Sequence, residues 1–235
     1  MFHKLFEAKL IMKPTVVIGD VHGLSNWKEI VTSHSNYNFI FLGDYLDPYR
    51  QISSNYLIKN LNEIIEFKRS RMDDVTLLLG NHDLHYFSED IERGSRYDEF
   101  IAERAAKIFT NHLGLFTYAL QCDNRIFTHA GISHQWFIED FKGDITQNIA
   151  EQLNHPVDNQ MHSLCRVGYN RGGWRGNIGG IFWADIDELT DPLHGFTQIV
   201  GHNRVRKIIE RGYDNDNKII FCDSLFKGNF YVIEE

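Results

Sequence analysis

The chain has 235 residues, 43% apolar and 24% charged, with 24 basic and 32 acidic side chains and a formal charge of −8. This composition excludes a disordered, collagen-like or coiled-coil chain. The acidic balance weighs against binding long duplex nucleic acid, which needs a basic footprint.

The first half alternates cleanly. Thr15–Ile18 is a short β-branched run ending at Gly19, and Trp27, Ile30 and Val31 then mark a short helix. Phe39–Leu42 is a second apolar run, ending at Gly43. Leu57, Leu61, Ile64 and Ile65 form a helical apolar face, with Ser53, Ser54 or Asn55 as its N-cap. Val75–Leu79 is a third run, ending at Gly80, and Phe100, Ile101, Ala105, Ile108 and Phe109 predict another helix. Continuous apolar strands between helices imply a parallel sheet buried on both faces.

The second half is richer in short strands: Leu115–Gln121, Arg125–Thr128, Gln198–Val200, Val205–Glu210, Lys218–Phe221 and Asn229–Ile233. Asp123-Asn124 and Gly212–Asn217 read as hairpin turns. Residues 133–170 read as mostly helical, and 171–180 as a glycine-rich loop. The expectation is a second sheet packed on the first, within one domain over 1–235. At about 150 residues per domain the length agrees.

No run approaches 18 apolar residues, so no membrane span is expected. The N-terminal segment carries Lys4, Glu7, Lys9 and Lys13 and lacks the long apolar stretch of a signal peptide. Cys122, Cys165 and Cys222 form neither a disulfide framework nor a CxxC metal knuckle. Reduced thiols in a cytoplasmic protein are the expectation.

The polar residues that matter follow the strands. The first ends in G-D-V-H-G, the second in G-D-Y-L-D, the third in G-N-H-D. In open α/β sheets, ligands collect at the carboxyl ends of strands. Three such ends side by side bring Asp20, His22, Asp44, Asp47, Asn81 and His82 to one crevice. Two later runs deliver His129 in T-H-A-G and His202 in G-H-N-R. Carboxylate, imidazole and amide oxygen together suit borderline to hard divalent ions. There are enough ligands for two ions sharing a carboxylate, a solution suited to in-line displacement at phosphorus. Without metal, such a cluster would be costly through repulsion and burial of unpaired charge.

The ordered set GDVHG, GDYLD, GNHD, THAG and GH resembles the calcineurin-like metallophosphoesterases. It is most similar to the branch holding the Ser/Thr protein phosphatases and the diadenosine tetraphosphate hydrolases. The resemblance runs from residue 15 to about residue 233. It implies an α/β fold: a two-sheet β-sandwich flanked by helices, with the site at the carboxyl ends of the strands. It also implies that Asp20 and His22 bind one metal, that Asp44 bridges both, and that Asn81, His129 and His202 bind the second. His82 becomes the general acid, oriented by Asp47, and a metal-bridging hydroxide the nucleophile. The implied cofactors are two divalent ions, manganese in assay, with iron, zinc, nickel or cobalt as alternatives.

Three departures from the pattern follow. The protein phosphatases carry Arg directly after GDxxD, whereas Pro48 and Tyr49 stand here and Arg50 comes two positions late. Many phosphodiesterases of the superfamily have GHxH, whereas Arg204 occupies the second His position here. G-N-H-D stands in place of G-N-H-E, a change that says little. The loop R-G-G-W-R-G offers Arg171 or Arg175 to a phosphate, with Arg175 favoured, and F-C-D-S at 221–224 reads as structural. His85 groups with the surface or packing histidines, though it could line the crevice.

The reading is a phosphomonoesterase acting on a phosphoprotein or nucleotide. Its rivals are a dinucleoside polyphosphate hydrolase, a polynucleotide-end phosphatase and, in another class, an inactive metal-binding scaffold.

Overall fold

A computed structural model of the chain describes residues 13–213 and 217–234. The N-terminal stretch read above falls on residues 1–12, outside the described residues, save for its last two positions. The strands are β1 (Thr15–Ile18), β2 (Asn38–Phe41), β3 (Val75–Leu78), β4 (Phe116–Thr117) and β5 (Ala119–Cys122). They continue with β6 (Arg125–Thr128), β7 (Thr197–Val200), β8 (Ile209–Gly212), β9 (Lys218–Phe221) and β10 (Tyr231–Ile233).

The ten strands form two five-stranded sheets, in the orders β10-β1-β2-β3-β4 and β5-β6-β7-β9-β8. In the first, β1 to β4 run parallel, and β10 closes the edge antiparallel to β1. In the second, β6, β7 and β9 are parallel, with antiparallel strands at both edges. The alternation of side chains across a strand makes the layers. Val17, Ile40 and Leu78 point between the sheets, where they meet Leu120, Phe127, Ile199 and Ile220. Their neighbours Val16, Ile18, Phe39, Phe41 and Leu77 face the other way, into the helical layer. Both faces are buried, so the strands read as unbroken apolar runs.

The helices are α1 (Trp27–Ser33), α2 (Ser54–Ser70), α3 (Asn81–Leu84), α4 (Glu99–Asn111), α5 (Ile149–Asn154) and α6 (Asp158–Leu164). Ser53 caps α2, accepting from the Tyr56 amide, and Leu57, Leu61, Ile64 and Ile65 are its buried face. Asp98 caps α4, which buries Ile101, Ala105 and Phe109. Phe100 does not join that face and is 90% exposed.

Four sequence expectations change. The apolar run Leu115–Gln121 is two strands, not one: it leaves the first sheet after Thr117 and enters the second at Ala119. Asn154 holds this crossing, since its Oδ1 accepts from Thr117 Oγ1 (2.7 Å), Tyr118 N (2.9 Å) and Ala119 N (3.0 Å). Its Nδ2 donates to Ala119 O at 2.9 Å. Of 133–170, only α5, α6, a helical turn over residues 134–140 that is π-type at Trp136–Asp140, and a 3-10 turn from Tyr169 are helical. The strand expected from Val205 begins at Ile209. The strand expected from Asn229 begins at Tyr231. Asp123 turns the β5–β6 hairpin with φ +52°. The turn read at Gly212–Asn217 spans 214–216, outside the described residues.

Replacing Asn154 with Ala orphans two backbone amides at the crossing. We expect a loss of about 2 kcal/mol in urea unfolding. A loss under about 0.5 kcal/mol would show that the crossing is held by packing alone.

Candidate metal centre and acid–carboxylate pair

The carboxyl ends of β1, β2, β3, β6 and β7 meet at one edge of the sandwich. The chain must turn sharply there, and it does so at unusual backbone angles. Among the described residues, seven non-glycine residues have positive φ, and five of them lie here: His22 (+43°), Asp44 (+52°), Asp47 (+56°), Arg96 (+69°) and His202 (+58°). Each left-handed residue costs on the order of 1–3 kcal/mol and persists only where its surroundings over-determine it. Gly80 is required for another reason. A β-carbon there would stand 2.1 Å from Asp44 Oδ1 and 2.7 Å from His129 Cε1.

Asp83 ties two strand ends together. Its carboxylate accepts from the amides of Gly80 (2.9 Å), Asp44 (2.7 Å) and Tyr45 (2.8 Å). The shorter Asp of G-N-H-D thus fills a structural post between β2 and β3.

Two donor groups share Asp44. In the first, His22 Nε2 lies 3.9 Å from Asp20 Oδ2 and 3.6 Å from Asp44 Oδ2. His22 Nδ1 is 2.8 Å from Leu46 O, a bond in which it donates, so Nε2 keeps a lone pair. The second group is tighter. His129 Nε2 stands 3.5 Å from Asp44 Oδ1 and 3.0 Å from Asn81 Oδ1. His202 Nδ1 stands 3.1 Å from Asn81 Oδ1 and 3.2 Å from His129 Nε2. His129 Nδ1 donates to Leu42 O at 2.7 Å, so its Nε2 is also a bare lone pair.

These contacts test whether a metal fits. Asn81 Oδ1 and His129 Nε2 are both acceptors, and no proton lies between them. Acceptors 3.0 Å apart repel unless a cation lies among them. Ligands about 2.0–2.2 Å from one ion stand roughly 3.0–3.5 Å from each other at tetrahedral or octahedral angles. Asp44, Asn81, His129 and His202 have that spacing. Asp20, His22 and Asp44 are looser but of the same chemistry, and Asp44 gives one oxygen to each group. The residues therefore fit two divalent ions.

The electrostatics agree. Burial, then Asp223 and Asp44, push the Asp20 carboxyl well above its usual range. Burial and Asp83 do the same to Asp44. Asp83 and Asp223 are pushed up to about 7, burial being the chief cause for both. Burial pushes the His129 imidazole down to about 3, and His22 and His202 well below the usual range.

His82 and Asp47 sit beside these groups. His82 Nδ1 is 2.7 Å from Asp47 Oδ2, with the carboxylate accepting. Tyr86 donates its hydroxyl to Asp47 Oδ1. His85 Nε2 lies 2.8 Å from Asp47 Oδ2, while His85 Nδ1 accepts from Gly94 N. Burial raises the Asp47 carboxyl, but the bonds from His82, His85 and Tyr86 outweigh it and hold it below its usual range. Burial lowers His82, aided by Arg96 and His85 and opposed by Asp47.

A cavity of about 360 Å³ opens on the site, lined by Asp20, His22, Leu24, Tyr49, Arg50, Arg204, Asp223 and Phe226. Arg50 therefore stands on its wall. Arg175 lies on the exposed part of the glycine-rich loop. Arg171 reaches inward instead: its Nε is 2.7 Å from Asp185 and its Nη2 donates to Asn203 Oδ1 at 2.6 Å. Its charge also acts on His129 and His202.

Arg96, Tyr86 and Asp223 are contributors that the sequence does not assign to the site, and it marks His85 only as a residue that could line the crevice. Arg96 lies in a loop without periodicity, and its Nη2 is 3.1 Å from His82 Nε2. Tyr86 and His85 hold Asp47 from the turn after the G-N-H-D run. The spacing of three and four residues from His82 was the only available signal. Asp223, read as structural, lies on the cavity wall beside Asp20.

The chain belongs to the calcineurin-like phosphoesterase family, whose model matches residues 13–216. Solved structures share the fold. A cold-active protein-tyrosine phosphatase from a psychrophilic Shewanella species aligns with TM-score 0.58 and 17% identity, over 95% of this chain and 76% of that one. A protein serine/threonine phosphatase from Saccharomyces cerevisiae aligns with TM-score 0.52 and 13% identity, over 94% of this chain and 75% of that one. The protein is thus a phosphoesterase-family hydrolase by fold and sequence, with residue groups fit for two metals. No helix among the described residues is long and apolar enough to cross a membrane.

The buried carboxylates predict how metal-free protein responds to pH. Asp83 and Asp223 titrate near 7 when folded and near 3.9 when unfolded, so their stabilisation is complete below about 4 and is lost as pH rises through about 7. The depressed histidines act oppositely, gaining stability as pH rises through about 6.5, so near neutrality the two sets offset each other. The raised carboxyls of Asp20 and Asp44 must shed their protons to bind metal, so manganese uptake should release protons and tighten as pH rises from roughly 6 to 8. Calorimetric titration in buffers of different ionisation enthalpy checks this, and uptake without proton release would contradict it.

Proposed function

We propose that the chain hydrolyses phosphate monoesters with two divalent ions bound, manganese serving in assay. Asp20, His22 and Asp44 are proposed to hold one ion, and Asp44, Asn81, His129 and His202 the other. When bound, the ions supply an activated water and offset charge on the phosphoryl oxygens. The observation that carries this reading is the acceptor-to-acceptor contact of Asn81 Oδ1 with His129 Nε2, beside one oxygen of Asp44 and the His202 imidazole.

His82 is proposed to protonate the leaving oxygen. Asp47 binds Nδ1, so the imidazole offers Nε2 to the substrate, and the carboxylate raises its basicity against burial. Tyr86 occupies the other oxygen of Asp47 and keeps that carboxylate from turning away. Arg50, on the cavity wall, is proposed as a substrate contact. On the glycine-rich loop, Arg171 is favoured over Arg175, because its guanidinium faces the site and Arg175 faces solvent.

Arg204 in place of a further histidine in G-H-N-R supports monoesters over diesters. So do the names of the two structural neighbours, phosphatases of tyrosine and of serine/threonine. A phosphoprotein or a nucleotide is the proposed substrate.

The test uses metal-stripped protein with manganese added. The expected result is faster hydrolysis of p-nitrophenyl phosphate than of its bis-ester. Asp44→Asn should lower bound metal and reduce turnover by about 10³-fold or more. His82→Ala should keep both metals and lose about 10²–10⁴-fold on alkyl phosphates. Its loss on p-nitrophenyl phosphate should be much smaller, because that leaving group needs little protonation. A fully active Asp44→Asn, or a preference for the diester, would refute the reading.

A further inference from the structure

Tyr49 stands at the mouth of the site with two guanidinium groups against it. Arg96 Cζ is 3.8 Å from the ring centroid, and Arg204 Cζ is 4.0 Å from it. Two guanidinium groups this close to one centroid cannot share a face, so they lie on opposite faces. Arg204 is also 3.8 Å from the Phe226 ring. The His22 imidazole meets Tyr49 edge-on at 4.9 Å. The result is a stack, Arg96–Tyr49–Arg204–Phe226, built against a proposed metal ligand.

Stacking holds a guanidinium by its faces and leaves its N–H edges for hydrogen bonds. Arg96 uses one edge to fix itself: Nε donates to Asp47 O at 3.0 Å. Its Nη2 lies 3.1 Å from His82 Nε2. A guanidinium only donates, so the contact places donor N–H groups where a leaving oxygen must approach His82. The backbone of Arg96 adopts φ +69°, an uncommon angle for a long side chain. Arg204 makes no hydrogen bond or ion pair with side chains among the described residues, and it lines the cavity with Asp20 and Asp223. Its donors therefore face the cavity or solvent.

We propose that Arg96 and Arg204, clamped on the two faces of Tyr49, are an anion-binding pair additional to Arg50 and Arg171 and select a dianionic phosphate monoester over a monoanionic diester. This inference rests on the proposed reading of the site. Arg96 grips a phosphoryl oxygen next to His82. Arg204 grips a second on the Asp20 side. Tyr49 is the positioning residue that fixes their separation. A diester carries one charge and an additional substituent, and so gains less from two fixed guanidinium groups.

The experiment is calorimetric titration of manganese-loaded protein with inorganic phosphate, alongside kinetics on p-nitrophenyl phosphate and its bis-ester. Arg96→Ala, Arg204→Ala and Tyr49→Ala should each weaken phosphate binding at least 10-fold and raise KM for the monoester similarly, with kcat falling less. kcat/KM for the bis-ester should move under threefold. Tyr49→Phe restores the ring and should recover most of the lost affinity. If Arg96→Ala fails to fold, Arg96→Lys, which keeps the charge but not the fork, should still lose at least fivefold.

Unchanged phosphate affinity in folded Arg96 and Arg204 variants would overturn the pair, as would wild-type protein that binds no phosphate. An equal loss for both esters would overturn the selection. Phosphate binding that depends on both arginines, in protein that turns over no ester, would support the pair and refute the hydrolytic reading. The two failures are thereby distinguishable.

Discussion

Five carboxyl groups, those of Asp20, Asp44, Asp47, Asp83 and Asp223, are buried at one edge of this sandwich, together with the imidazoles of His22, His82, His85, His129 and His202. Bringing them together without compensation would be costly, since buried like charges repel and bare lone pairs repel one another. The chain relieves part of this itself. Asp83 accepts three backbone amides, Asp47 is held by His82 and Tyr86, and Asp20 accepts the His202 amide at 3.0 Å. What remains is the set around Asp44, where acceptors face acceptors. The rest of the site answers to that residual demand for positive charge.

The fold supplies the geometry that makes this clustering achievable. Parallel strands bring their carboxyl ends to one edge, and two sheets packed face to face bring two such edges together. Asp20, Asp44 and Asn81 come from the first sheet and His129 and His202 from the second, so the proposed centre joins the two layers. Each strand end leaves through a glycine or a left-handed residue. Gly80 is the tightest case, because its missing β-carbon is the space that Asp44 and His129 occupy. The left-handed angles at His22, Asp44, Asp47 and His202 represent a cost that the dense hydrogen bonding of the site sustains.

The sequence carried the strand ends legibly because each combined an apolar run with a glycine and a polar residue within five positions. That local coupling makes Asp20, His22, Asp44, Asp47, Asn81, His82, His129 and His202 readable as one cluster from the sequence alone. The crossing at Tyr118 was invisible for the opposite reason. Its apolar run is unbroken, and the residue that divides it, Asn154, is more than 30 positions away. Arg96 was obscured by a loop with no periodicity, while Tyr86 and His85 stand in the turn after G-N-H-D, where only their spacing from His82 marks them. The Tyr49 stack joins residues from four separate segments, so no window of sequence contains it. Arg171 and Arg175 were both visible in the glycine-rich loop, but the loop's path alone decides which one turns inward.

Two cations shared through the Asp44 carboxylate would answer the residual repulsion around it. The most direct measurement is anomalous diffraction from manganese-soaked crystals, with metal content determined on the same preparation. Two anomalous peaks per chain are expected, roughly 3.5–4 Å apart, one beside Asp20 and His22 and one beside Asn81, His129 and His202. Folded protein that takes up no manganese, or that holds a single ion away from Asp44, would contradict that arrangement.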